Sequence, residues 1–197
     1  MKTALLCFLS MIIIFTECSP ARPDTKEAAG PTETDLIKRG EYLVNLGGCN
    51  DCHTPKIFTE KGMDLDRTRL MSGHPENAPL PEIDPKALTP GNWVLMNDNL
   101  TAFIGPWGMT CSQNLTPDET GIKNWTLEAF TKALKTGMHM GAERGRPIMP
   151  PMPWMNLSNL EAQDYAAIFS YLKSLPPIEN HVPAPKSPEE VLALAKK

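Results

Sequence analysis

The chain has 197 residues, 41% apolar and 21% charged, which fits a folded globular domain and excludes a fibrous or wholly disordered protein. A net charge of −4, from 19 Lys and Arg against 23 Asp and Glu, supplies no basic stripe to neutralise phosphates, so it argues against nucleic acid and for proteins or small molecules as partners. Five Cys are too sparse for a disulfide scaffold, and the odd number leaves at least one thiol for another use.

The first 17 residues read as a signal peptide: Lys2, then an apolar run over 4–15, which is shorter than the roughly 20 residues of a dedicated spanning helix. Cys18 follows directly. It is either the acylated first residue of a mature lipoprotein, anchoring the chain to a membrane, or a residue beside an ordinary cleavage point, since Phe15 and Glu17 fit a small-residue box poorly. Cys7 leaves with the signal. Residues 18–34 have almost no large apolar side chain and read as a flexible tether. The expected compartment is therefore outside the cytoplasm.

Three helices follow. The first is expected over 35–46, with Leu36, Ile37, Leu43, Val44 and Leu46 apolar and Gly47 and Gly48 stopping it. A second starts behind Thr126 as N-cap, buries Phe130, Ala133 and Leu134, and ends at Gly137. The third is expected behind a capping box of Ser158 and Glu161, with an apolar stripe from Leu160 through Tyr165, Ile168, Phe169, Leu172 and Leu175 to Pro176. A domain over 35–180 and a proline-rich tail over 181–197 result, with Ser187, Pro188 and Glu190 able to start a short last helix. No segment alternates polar and apolar residues long enough to argue for a sheet, so the fold class is all-α. Residues 55–124 are crowded with Pro, Gly and Asn, and a connection this long is expected to fold as short helices and turns over a functional surface. Four N-x-S/T sequons, at Asn99, Asn114, Asn124 and Asn156, read as turns and caps.

Cys49, Asn50, Asp51, Cys52 and His53 form C-x-x-C-H, the attachment signature of c-type haem. Two thiols three positions apart on one turn can each add across a vinyl group of a single haem, which brings the next imidazole under the iron. A zinc site would want a second Cys or His pair at similar spacing, and a redox dithiol a βαβ setting; neither is present in the sequence.

With that motif, GEYLVNLGGCNDCHTP, NLTPDETGIKNWTLEAFTKALKTG, GRPIMPPMPW and DYAAIFSYLKSLPP make the chain resemble exported bacterial mono-haem cytochromes c, especially cytochrome subunits of periplasmic dehydrogenases. The resemblance implies a cytochrome c fold with a long proline-rich insertion between the attachment site and the middle helix. It also implies one covalent haem c held by Cys49, Cys52 and His53, and a distal Met from the loop before the last helix. Met152, in the Met-Pro-Trp step of 152–154, is the expected ligand and Met149 the alternative; Met155 lies in the same loop. The implied role is one-electron transfer in the periplasm to or from a protein such as a dehydrogenase or a terminal oxidase, without catalysis of its own. The alternative is a haem-based sensor or peroxidase-like enzyme whose distal Met is displaced.

His139 and His74 are possible competitors for the sixth position, with local hydrogen bonding or a haem propionate as the simpler use; His181 is the least suited. Arg144 and Arg146 could pair with propionates, exposed surface being the default. Trp93, Trp107, Trp125 and Trp154 would exclude water from a porphyrin. Tyr42 and Phe169 or Tyr171 resemble the contact at which cytochrome c terminal helices cross. Cys111 reads as a small buried apolar residue, or as a disulfide partner of Cys18.

Overall fold

Thr32 opens the first helix of the computed structural model, which describes residues 30–195. The signal segment, Cys18 and most of the expected tether lie outside the described residues. Helix α1 is Glu33–Leu46, two residues longer than expected, because Thr32 Oγ1 accepts from Asp35 N–H at 3.2 Å while the Asp35 carboxylate accepts from Thr32 N–H at 3.1 Å. The box is closed by Asp, so a search for Glu or Gln at that position passes over it.

A single turn, α2 (Cys49–His53), follows at once behind Gly48, whose φ of +66° suits glycine. Helix α3 is Leu127–Thr136, capped as expected by Thr126, whose Oγ1 accepts from Ala129 N–H at 3.1 Å, and ended by left-handed Gly137. The short α4 (Trp154–Leu157) precedes α5 (Ala162–Ser174). The expected Ser158 capping box does not form. Ser158 closes α4 instead, its hydroxyl donating to the Met155 carbonyl at 2.7 Å, and α5 starts behind Glu161 with no side-chain cap.

Helices α1 and α5 cross at Gly40, where an added Cβ would overlap the Ala167 carbonyl and stand 2.7 Å from Tyr171 Cβ. The contact is therefore Gly40 on Ala167 and Tyr171, whereas Tyr42 is 56% exposed under the Arg39 guanidinium. Arg39 also bonds Asp164 across the crossing at 3.0 Å. Val44, Phe130, Leu134, Tyr165, Ile168 and Leu172 form the core below, joined by Met71 and Ile122 from the long connection.

That connection is more than helices and turns. A hairpin of β1 (Lys56–Thr59) and β2 (Gly62–Leu65) leaves α2, and a three-stranded antiparallel sheet orders β3 (Leu95–Met96), β4 (Ala102–Gly105) and β5 (Gly108–Cys111). Two 3-10 turns, Arg67–Arg69 and Pro85–Leu88, lie between the strands. The strands escape a periodicity search because none exceeds four residues and β4 is buried at every position, which removes the alternation a half-buried strand would show.

Residues 181–195 dock on this sheet. Lys186 exchanges two 3.0 Å backbone bonds with Met109, and α6 (Pro188–Leu194), capped by Ser187 and Glu190, inserts Val191 among Ala87, Ala102, Ile104, Met109 and Cys111. Among the described residues no helix is long and apolar enough to cross a membrane.

Gly40→Ala should raise helix propensity by about 1 kcal/mol yet destabilise the protein by on the order of 2 kcal/mol, because overpacking at Ala167 outweighs it. Denaturant unfolding reads the sign; a stabilised variant would mean the helices do not touch there.

Candidate haem-attachment site

Helix α2 puts both motif thiols on one turn. Cys49 and Cys52 are half-buried, and burial raises the pKa of each; Cys49 packs on the core beneath α1. The turn ends against a cation: Lys56 Nζ donates to the carbonyls of Asn50 at 3.2 Å, Asp51 at 2.9 Å and Thr54 at 2.5 Å, which satisfies the orphaned end of the helix. Buried Thr54 donates to Asn50 Oδ1 at 2.8 Å and accepts from Met71 N–H at 2.9 Å, locking the turn to the connection.

His53 Nδ1 lies 2.8 Å from the Gln113 carbonyl oxygen. A carbonyl only accepts, so Nδ1 carries the proton and Nε2 keeps its lone pair for a metal. Burial depresses the His53 pKa, favouring the neutral ring that ligates metals.

Gln113 sits just beyond β5, and residues 71–74 run between it and α2. Gly73 N–H donates to the His53 carbonyl at 2.8 Å, His74 N–H to Ser112 at 2.8 Å and Leu115 N–H to Met71 at 2.8 Å. Behind this seam Asn114 Nδ2 donates to Thr120 Oγ1 at 3.0 Å and to the Ile178 carbonyl at 2.8 Å, while its Oδ1 accepts from Thr116 N–H at 2.9 Å.

Met152 packs against the same core as Cys49, whereas Met155 is 57% exposed and Met149 is half-buried outside that core. The Met loop is pinned to the end of α3, since Ile148 N–H donates to Gly137 at 2.7 Å and the Trp154 ring fills the space a Gly137 side chain would take.

The competing histidines have local uses. His74 is buried with Nδ1 2.8 Å from Thr101 Oγ1, His139 meets the edge of Trp125 at 5.6 Å, and His181 is exposed 3.8 Å from Glu179. Arg144 and Arg146 are exposed. The four tryptophans divide: Trp125 packs on the core that holds Cys49 and Trp154 on Gly137, but Trp107 folds over Gly105 in the sheet and Trp93 is 85% exposed. Cys111 is 2% exposed in the sheet core.

Sequence reasoning passed over Gln113, Gly73, Lys56 and Thr54. Gln113 acts through its backbone, so no side-chain pattern could have marked it. The Gly in Ser-Gly-His, residues 72–74, was a usable signal of close approach.

The residues fit a covalent haem: two thiols and an imidazole on one turn, the ring's tautomer already chosen and a soft thioether on the adjoining core.

Burial pushes the Cys111 thiol up to about 11 from an ordinary 9.0. The unfolded thiol ionises first, so stability should fall as pH rises from 9.0 to about 11 and level off above it. Cys111→Val should remove that component of the slope in pH-dependent unfolding; an unchanged slope would assign it elsewhere.

No protein-family model matches the chain. It is similar to one of the subunits of nicotinate dehydrogenase from Pseudomonas putida, 27% identical over 163 residues, which span 82% of this chain and 10% of the relative. The cytochrome c subunit of a quinone alcohol dehydrogenase from Gluconobacter oxydans is 31% identical over 137 residues, 69% of this chain and 20% of the relative. A diheme cytochrome c-type protein of Cereibacter sphaeroides is 26% identical over 183 residues, 90% of this chain and 50% of the relative. The chain thus spans from a tenth to half the length of these curated relatives. Cytochrome c subunits of dehydrogenases recur among its relatives.

Proposed function

We propose that this chain is a one-electron carrier with a single covalent haem c, attached through Cys49 and Cys52 and ligated by His53 and Met152, with Met149 the alternative sixth ligand. The observation that carries the reading is the His53 Nδ1–H bond to Gln113, which readies Nε2 at the end of a C-x-x-C-H turn. One C-x-x-C-H in 197 residues supports one haem. When bound, the haem supplies reversible ferric–ferrous exchange, accepting one electron from a reduced donor and releasing it to an oxidised acceptor. The residues do the rest: the thiols hold the group in place, His53 presents one lone pair, and the proline-stiffened loop limits the entropy lost in holding the Met152 thioether.

In this reading α1, α3 and α5 form the helical frame of a cytochrome c fold, and residues 55–124 are its insertion. The chain acts outside the cytoplasm, in the periplasm, with Cys18 as a lipid anchor if it is acylated. It serves a dehydrogenase as electron-accepting subunit, or passes electrons toward a terminal oxidase, and catalyses no reaction itself. The packing of Met152 on the Cys49 core, against the exposure of Met155, supports Met152 as the thioether.

Mass spectrometry of the exported protein should give the mass of one haem, lost from covalent attachment in a Cys49→Ala, Cys52→Ala double variant; two haems or none would overturn the single-haem reading. Met152→Ala should abolish the weak near-infrared band of a thioether–ferric bond and raise carbon monoxide binding by the reduced protein at least about tenfold, while Met149→Ala changes both little. The reverse pattern would exchange the two assignments. Rapid carbon monoxide binding by the unaltered protein would favour the sensor or peroxidase-like alternative.

A further inference from the structure

If His53 ligates iron, its Nδ1 proton is the handle by which the protein adjusts that ligand, and the structure shows what holds the acceptor in place. Gly73, at φ +78°, stands between His53 and Gln113. Its N–H donates to the His53 carbonyl, and a Cβ there would overlap the Ser112 carbonyl and stand 2.7 Å from the Gln113 oxygen itself. No side chain fits without pushing on the oxygen that accepts from Nδ1.

Asn180 grips the same segment from the C-terminal part of the chain. It is 3% exposed, its Nδ2 donates to the carbonyls of Ser72 at 2.6 Å and His74 at 2.9 Å, and its Oδ1 accepts from Glu76 N–H at 2.9 Å. One buried amide thus clamps the residues on both sides of Gly73, and its own N–H donates to Thr120 Oγ1 at 3.0 Å.

We propose that Gly73 and Asn180 are positioning residues that hold the Gln113 carbonyl on His53 Nδ1 and thereby set the reduction potential of an iron ligated by His53. The inference rests on the haem reading above. A well-placed acceptor on Nδ1–H gives the ring more imidazolate character, makes it a stronger donor and favours ferric iron; displacing the acceptor weakens the donor and raises the potential.

The test compares full-length, haem-loaded Gly73→Ala and Asn180→Ala with the parent by redox titration, and follows exchange of the His53 Nδ1 proton in the ferrous state by NMR. Both variants should titrate at higher potential, the ferric-to-ferrous ratio at a fixed poise falling about three- to tenfold, where tenfold is 59 mV for one electron. The proton should exchange faster while the near-infrared thioether band is kept. Gly40→Ala is the control: it destabilises the helix crossing without touching this seam and should keep the parental potential.

Parental potential and exchange in folded Gly73→Ala and Asn180→Ala overturn the proposal, as does an equal shift in Gly40→Ala or a shift accompanied by loss of the thioether band. Should Gly73→Ala fail to fold, Asn180→Ala and the milder Asn180→Ser carry the same measurements. A parent chain that acquires no covalent haem overturns both readings, whereas a loaded parent with unmoved variants overturns this one alone.

Discussion

The hydrogen bond from His53 to the Gln113 carbonyl joins residues sixty positions apart and fixes the tautomer of the imidazole that ends the C-x-x-C-H turn. Without an acceptor on Nδ1 the imidazole could carry its proton on either nitrogen, and a C-x-x-C-H turn would present a ligand only part of the time. The long connection supplies that acceptor. It leaves α2 as a hairpin, passes residues 71–74 beneath the turn, builds a sheet, and returns with Gln113 in position. Its length has a structural use: two irregular segments, 71–74 and 112–115, pass each other beside His53, and Gly73 allows them to do so in backbone contact.

Two cores divide the support. The helical core beneath α1 and α5 carries Cys49 and Met152, so it serves the attachment turn and the candidate distal loop together. The sheet core carries Cys111 and is closed by α6, whose Val191 is fully buried. Beside them runs a seam of buried polar residues, Asn114, Thr116 and Asn180, each of which spends its side chain on backbone groups of irregular chain. Irregular backbone has no ladder to satisfy it, and side-chain amides do that work here. The C-terminal segment thus contributes Asn180 to the seam and Val191 to the sheet core.

Local signals explain which parts were legible from the residues. The span of α3 was readable because Thr126 and Gly137 act within one turn of the helix they bound. Helix α1 is legible except for its Asp-closed cap, and α5 starts behind Glu161 and not behind Ser158 because the Ser158 hydroxyl has a nearer partner in the Met155 carbonyl. The strands carried no alternation, and whether Trp93 or Trp125 is buried depended on which core each segment joined.

By itself the sequence determined where covalent attachment is to be sought, because C-x-x-C-H is a spacing on one turn and needs no distant residue to be recognised. It also determined that the chain is helical around that turn and that a Met-rich, Pro-stiffened loop precedes the last long helix. Only the tertiary structure decided which carbonyl orients His53, why Gly40 and Gly73 are glycines, and which methionine packs on the Cys49 core. Those outcomes depend on backbone atoms and on approaches between segments far apart in the chain, neither of which leaves a pattern in the order of side chains.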